Sequence, residues 1–314
     1  VAQHLGLAGL RPEVARIATD KLVLWEKLRD GGVSYPKAAV VTSAKQAFEA
    51  AKEMTFPLIA KPTLAFGGSR GVIRINNPEY LTTGFEFAHQ ASRNGLILME
   101  EFLDGVEHTV ESLVYQGRSY TLAISGKVRV SDLYCVATSL NYPSRFPLEV
   151  QQKMRDIAAK AAKAVGVESG ATHIEMIITD GEPKVIDFGA RGGGAGFIPA
   201  VIVPHVSGVN MIQEMIRMAL GIQPKELEPK FERGAVFRFF NPPPGRVISI
   251  SGVEKASGME GVLEFTLNLK EGDTVPVLTT QLQRVGMFVV LADTAEAALA
   301  KADEVERLVR IETR

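Results

Sequence analysis

The chain has 314 residues, 46% of them hydrophobic, and its 35 Lys+Arg against 36 Asp+Glu leave a formal net charge of −1. That balance excludes a nucleic-acid grip driven by bulk charge, and the apolar content excludes disorder and collagen-like repetition. At roughly 100–200 residues per domain, the length implies two or three packed lobes.

At the N-terminus, VAQHLGLAGLRPEVARIATDK lacks the basic-then-apolar layout of a signal peptide, and no apolar run approaches the ~20 residues that cross a bilayer. The expectation is a cytoplasmic protein with no membrane and no nucleic-acid partner. Residues 1–19 read as a helix-and-loop tail, the remnant of an upstream domain or linker. Asp20 can cap a helix over DKLVLWEKLRDGG, with Leu22, Leu24, Trp25 and Leu28 as its apolar stripe and Gly31-Gly32 as its end. Strand, helix and strand follow in KAAVV, SAKQAFEAAKEM and PLIAKP. The glycine loop LAFGGSRG then leads to strand VIRI, helix PEYLTTGFEFAHQASRNG and strand LILMEEF, an alternating α/β pattern.

From Glu107 the apolar period falls to two. HTVESLVY, a Gln116-Gly117 turn and SYTLAISGKVRV predict an antiparallel hairpin that opens a second sheet. A helix near 148–165 should cover that sheet, and ATHIEMIIT and PKVIDFGA, joined by Asp180-Gly181, predict another hairpin. A helix near 209–220, the Pro-rich NPPPGRV, short strands and the amphipathic TAEAALAKADEVERLV complete the chain. The division this suggests is one lobe over 20–95, a second over 96–230 and a third over 231–314.

Few residues offer chemistry. Cys135, the lone cysteine, cannot form an internal disulfide and sits in the strand-like DLYCVATSL, so it reads as a small core residue rather than a nucleophile. The five histidines lack the i, i+4 pairing of a helical zinc site. The loop GGSRG at 67–71, six residues after Lys61, frees backbone amides for phosphate oxygens, but it also reads as a hairpin turn. Glu175 lies five residues before Asp180 and Asp187 six after Gly181, so a small register adjustment would set the two carboxylates side by side. Two adjacent anions on apolar strands need a cation, either a divalent ion such as Mg²⁺ or a salt bridge to Arg191 or Lys184. In LMEEFLDGVEHTVE, Glu100, Glu101 and Glu107 surround a Phe102-Leu103 step. This segment is either a hinge that offers backbone groups to adenine and a carboxylate to ribose, or a solvated strand end.

Taken in order, DKLVLWEKLRDGGVSYP, PLIAKPTLAFGGSRGV, LMEEFLDGVEHTVE and GATHIEMIITDGEPKVIDFGARGGG resemble the ATP-grasp superfamily of carboxylate–amine ligases. The resemblance covers most of residues 20–221. It implies an α+β fold with two α/β lobes (20–95 and 96–230) clasping ATP, a C-terminal α/β lobe (231–314), and a missing upstream domain of which 1–19 is the remainder. The implied cofactors are ATP and Mg²⁺, with Mn²⁺ as an alternative ion. Lys21 and Lys61 would contact ATP phosphates, and Gly67–Gly71, with Gly67, Gly68 and Ser69 as donors, would be a mobile flap over them. Glu100 would face the adenine amine, Phe102 and Leu103 would give hinge backbone contacts, and Glu107 would hold the ribose. Glu175 and Asp187 would ligate the metal, while Arg191 and Lys61 would be the catalytic cations on the transferring group. Lys127 looks like a further phosphate-side lysine or a surface lysine. His173, Gly192 and Gly193 would line the substrate pocket, with His173 alternatively a hydrogen-bonded strand residue.

Within the superfamily, THIEMI with DFGARGGG, and GAVFRFFNPPPGRVISISGVE with the segments after it, look most like the L-amino acid ligase branch, which joins amino acids into dipeptides. The implied reaction activates a small-molecule carboxylic acid as an acyl phosphate and joins it to an amine, releasing ADP and phosphate, with a homodimer as the implied assembly. The alternatives are a biotin-carboxylase-like or nucleotide-biosynthesis ligase, or a non-catalytic ATP-binding regulator. One departure bears on the metal: where many members carry Glu-x-Asn, this chain has Asp187-Phe188-Gly189, one side-chain oxygen fewer.

Overall fold

The computed structural model describes His4 and residues 9–65, 67–130 and 133–314. Parts of the expected tail (1–3 and 5–8), position 66 of the glycine loop and positions 131–132 lie outside the described residues. Helix α1 (Pro12–Thr19) buries Val14 and Ile17, and α2 (Lys21–Asp30) buries Leu24 and Leu28. Both stripes enter the same core, so the stretch just before Asp20 is a packed helix rather than a tail. Asp20 separates the two helices and caps the second, its Oδ1 accepting from the Leu22 amide at 3.0 Å.

The next elements are β1 (Ala38–Val41), α3 (Ala44–Ala51), β2 (Leu58–Pro62), β3 (Ile73–Ile75), α4 (Leu81–Ala91) and β4 (Ile97–Glu101). The strands form a sheet of order β1-β4-β2-β3 in which every pairing is antiparallel. Ala47 of α3 and Leu81, Phe85 and Ala88 of α4 close over Leu58, Ile75, Ile97 and Met99. Full burial of each large side chain contributes about 1.5–3 kcal/mol.

The second sheet begins with β5 (Val106–Tyr115), β6 (Arg118–Arg129) and β7 (Ala137–Tyr142). After α5 (Leu148–Val165) come β8 (Ser169–Thr179), β9 (Glu182–Gly189), α6 (Val203–Ser207) and α7 (Met211–Ala219). Both predicted tight turns carry the left-handed pair that a two-residue hairpin loop needs: Gln116 and Gly117 at φ +51° and +75°, Asp180 and Gly181 at +53° and +74°. Alternation then sorts the faces. Val110, Val114, Ile174 and Met176 pack into the core beneath α5, while Glu107, His173 and Glu175 fall on the other side, toward a cleft.

The chain ends with β10 (Gly234–Phe239), β11 (Gly245–Ser251), α8 (Val253–Ser257), β12 (Val262–Leu267), β13 (Thr274–Val275), β14 (Gly286–Ala292), α9 (Ala295–Leu308) and β15 (Arg310–Thr313). The segment expected as a third lobe shares the second sheet, because β10, β12 and β14 complete its order β12-β14-β10-β7-β6-β5-β8-β9. Only β13-β11-β15 form a separate small sheet, packed with α8 and α9. Among the described residues no helix is long and apolar enough to cross a membrane.

Candidate active site

A cleft of about 540 Å³ lies between the two sheets. One wall carries Lys61, Glu100, Phe102 and Leu103; the other carries Lys21, Glu107, Lys127, His173, Glu175, Asp187 and Arg191, and Gly67, Gly68 and Ser69 stand at the rim. Fourteen of the sixteen residues singled out from the sequence thus share one cavity, all but Gly192 and Gly193.

Glu175 and Asp187 are direct cross-strand partners on β8 and β9, with the register shifting immediately afterwards, so that Met176 pairs with Val185 and Ile186 is bulged out. The bulged residue's carbonyl, freed from the ladder, accepts from Lys61 Nζ at 2.9 Å. The cations beside the two carboxylates are lysines rather than the Arg191 or Lys184 weighed from sequence. Lys21 Nζ lies 2.5 Å from Asp187 Oδ1, and Lys127 Nζ lies 2.5 Å from Glu175 Oε1. Lys127 therefore faces the cleft and is no surface lysine.

Charges alternate across this wall. Glu107 is held by Lys127 at 2.6 Å and by Arg129 at 2.6 Å, so the carboxylate expected on ribose has both oxygens engaged by cations. Burial works against the charge on Lys127, yet Glu107 and Glu175 outweigh it and raise its pKa. Glu175 is likewise opposed by burial and is held well below the carboxylate range by Lys127 and His173. Lys21 follows the same rule, with Asp187 overcoming desolvation to keep it protonated. On the facing wall Lys61 Nζ pairs with Glu100 Oε2 at 2.7 Å, both side chains under a tenth exposed.

The hinge differs in detail from expectation. The Phe102 amide donates to Pro57 O at 2.9 Å, and Arg74 lies 4.1 Å over the Phe102 ring. Its N–H is therefore committed to the fold, and a hinge contact to a base must come from its carbonyl or from Leu103. In the flap, Gly67, Gly68, Ser69 and Gly71 all have φ between +58° and +76°, a run of left-handed residues that turns amides toward one side. Residues far away in sequence meet it: the Gln281 amide donates to Gly68 O at 3.0 Å, and its side chain donates to Ser69 Oγ at 3.3 Å.

His173 Nδ1 lies 2.5 Å from Oε1 of the fully buried Glu111, and His173 Nε2 lies 3.4 Å from Glu175 Oε1. Burial opposes the imidazolium, but Glu111 and Glu175 prevail and bring its pKa up to about 9. Gly192 and Gly193 do not line the cleft. A Cβ on Gly192 would fall 2.7 Å from Pro199, and one on Gly193 would fall 2.4 Å from His173 Nδ1, so both glycines allow close packing behind the wall. Arg191 is exposed, bonded to Gly192 O at 2.8 Å, and its side chain folds over Gly189, where a Cβ would meet it at 3.4 Å. Cys135 is half-buried on the cleft wall rather than in a core, and burial pushes its thiol up, which disfavours the nucleophilic thiolate.

Reading the sequence missed Arg129, Glu111, Gln281 and Arg284. The first two carry a usable signal, since Arg129 is two residues from Lys127 and Glu111 four from Glu107, spacings that share a strand face. Gln281 and Arg284 carry none, because they reach the cleft only through the C-terminal segment.

The donor set suits a hard divalent ion. Glu175 and Asp187 supply facing carboxylates, and among the described residues no cluster of three His, Cys, Asp or Glu side chains forms a metal cage. Two carboxylates completed by phosphate oxygens and water is the pattern Mg²⁺ favours, and Gly189 adds no further ligand.

The cleft between the two sheets, with its left-handed loop, buried lysines and paired carboxylates, is lined largely by a segment that matches a known family model. Residues 54–198 match an ATP-grasp domain. More particularly, residues 238–314 match the L-amino acid ligase C-terminal domain 2. The fold is similar to that of the L-amino acid ligase from Bacillus licheniformis, with a TM-score of 0.83 at 22% identity, covering 100% of this chain and 76% of that one. The sequence is 24% identical over 303 residues to the uncharacterized protein y4rH of Sinorhizobium fredii, covering 95% of this chain and 62% of that protein. It is 23% identical over 305 residues to the carbamoyl phosphate synthase large chain of Thermotoga petrophila, covering 94% of this chain but 26% of that one. The chain thus spans less than two thirds of the length of the y4rH and carbamoyl phosphate synthase relatives.

Proposed function

We propose that the protein is an ATP- and Mg²⁺-dependent ligase that activates a small-molecule carboxylate as an acyl phosphate and joins it to an amine, with amino acids as its substrates. The observation that carries this reading is the convergence of Lys21, Lys61, Lys127 and Arg191 with the Glu175–Asp187 pair and the flap in one cleft. With ATP bound, the lysines would exchange their carboxylate partners for phosphate oxygens, releasing Glu175 and Asp187 for the metal. When bound there, Mg²⁺ supplies charge neutralisation on the transferring phosphate.

The chain's own groups do the rest. Lys61 and Lys127, on opposite walls, hold the phosphate chain between the lobes and stabilise its developing charge. Arg191 is an exposed cation at the mouth that would close on the transferring group. The flap, tied to Gln281, excludes water that would hydrolyse an acyl phosphate. We assign residues 20–95 and 96–230 as the two clasping lobes, with 231–314 extending the sheet of the second.

The test is phosphate release from ATP and Mg²⁺ across pooled amino acids, with mass spectrometry of products. Release that requires two substrates and yields ADP with an amide supports the reading. ATP binding with no release in any pool would instead support a regulator.

A further inference from the structure

Strand β6 is longer than its neighbour on one side. It pairs with β5 from Arg118 to Gly126, but β7 covers only the stretch from Gly126 to Arg129. After Tyr142 the chain turns away through Pro143, and the bond from the Ser144 amide to Ile124 O, at 2.7 Å, is the last main-chain contact on that edge among the described residues. A second cavity, of about 550 Å³, opens beside the uncovered length and shares no lining residue with the candidate active site. Seven consecutive residues of β6, from Arg118 to Ile124, line it. Successive strand side chains point to opposite faces, so only the edge of the strand can present them all. Arg118 to Thr121 are exposed or half-buried, and Leu122 to Ile124 form the buried deep end. An edge of this kind turns the N–H and C=O groups of alternate residues outward, unpaired.

The walls limit what can pair with that edge. Arg155 and Asp156 of α5 stand on one side; Val206 of α6 and the stretch from Glu228 to Glu232 stand on the other, with Phe231 42% exposed. This second wall is anchored, the Lys230 amide donating to Ser207 O at 2.8 Å. Arg118 and Lys230 have carboxylate partners, Glu228 at 3.4 Å and Glu226 at 2.7 Å. Arg155 has none within salt-bridge distance among the described residues: its Nη2 lies 3.5 Å from Gln151 Oε1, and the adjacent Asp156 accepts from Gln152. Both ends of the groove are bounded, the deep one by Tyr142 and Pro143 and the outer one by the Arg118–Glu228 pair. The accessible edge between them is roughly 13 Å long, which suits a free ligand rather than a segment passing through.

We propose that this groove is a second binding site, taking a free peptide of about four residues as an added strand on the Arg118–Thr121 edge, with an acidic side chain toward Arg155 and apolar ones toward Phe231. An extended backbone offers donors and acceptors at the repeat the edge requires. Its alternating side chains match a charged wall facing an aromatic one. The site stands independently of the ligase reading.

The probe is acetyl-Val-Glu-Val-Thr-amide, titrated into the full chain by calorimetry, with hydrogen exchange read on the same complex. Binding should persist at saturating ATP, and exchange of the 118–121 amides should slow. N-methylation of the two Val nitrogens, or of the Glu and Thr nitrogens, should give unequal results, because only alternate amides face the edge: one pattern weakens binding about 10-fold or more and the other leaves it nearly unchanged. Replacing the peptide's Glu by Gln should weaken binding roughly 10-fold in wild type and have no effect in Arg155→Gln. No binding, equal loss from both methylation patterns, displacement by ATP, protection confined to other residues, or an undiminished preference for Glu in Arg155→Gln overturns the assignment. A dimer of the peptide-free chain with the 118–121 amides already protected would also overturn it, by giving the edge to a second copy.

Discussion

Glu175 and Asp187 face each other across β8 and β9 because a single residue, Ile186, is bulged out of the ladder between them and the turn. Without the bulge, Asp187 would slip one place and its side chain would point to the α5 face. The same bulge offers the Ile186 carbonyl to Lys61, so one backbone irregularity sets the spacing of the carboxylates and ties the two walls together.

Asp187→Asn keeps the size of the side chain and removes its charge. It should cut turnover by roughly 100-fold or more while ATP still binds, because the lysines and flap remain. Normal turnover by steady-state phosphate release would remove Asp187 from the metal site.

Lys61 is buried against Glu100, and Lys61→Met would leave that carboxylate without its counterion. Breaking one side of a buried pair costs about 3–5 kcal/mol. Urea unfolding should show a loss of that order, and Lys61→Met combined with Glu100→Gln should recover much of it while ATP affinity stays low. A double variant no more stable than Lys61→Met would mean that the pair is not coupled.

The pH dependence of the metal-free protein follows from His173. The groups facing its imidazole are Glu111 from β5 and Glu175 on its own strand, with Lys127 sharing Glu175. Its folded-state pKa of about 9 lies above the ordinary 6.5, so the folded protein holds this proton longer than the unfolded chain. The stabilisation is complete below about 6.5 and disappears as pH rises through about 9, on the order of 3 kcal/mol in all. Unfolding free energies measured from pH 6 to 10 should fall along that course in wild type and stay flatter in His173→Asn. Parallel curves for the two proteins would contradict the assignment.

Gly71, at φ +70°, closes the flap's base where a Cβ would come within 2.6 Å of Ala91 Cβ and 2.9 Å of Pro62 Cγ. Gly71→Ala should therefore lower stability by roughly 1–3 kcal/mol through both the left-handed backbone and the crowding. Gly67→Ala, with open space around it, should cost less. Equal unfolding midpoints for these two variants would show that the base of the flap yields.

What the sequence determined by itself was everything written in local periodicity and turn chemistry. The Asp20 cap, the Gln116-Gly117 and Asp180-Gly181 hairpins, the period-two strands and the order of Lys61, the glycine loop, Glu107, Glu175 and Asp187 all follow from short-range sterics and burial, which a linear reading can follow. Tertiary structure alone decided the partners. Lys21 and Lys127 neutralise the carboxylates across 166 and 48 residues of chain, Glu111 buries a charge against His173 across 62, and β10, β12 and β14 join the central sheet rather than form their own. Gln281 and Arg284 reach the cleft from the last elements of the chain. Such pairings depend on which strand faces lie opposite after packing, and electrostatic energy depends on distance in space rather than along the chain. That is why the candidate residues were legible one by one, and their network was not.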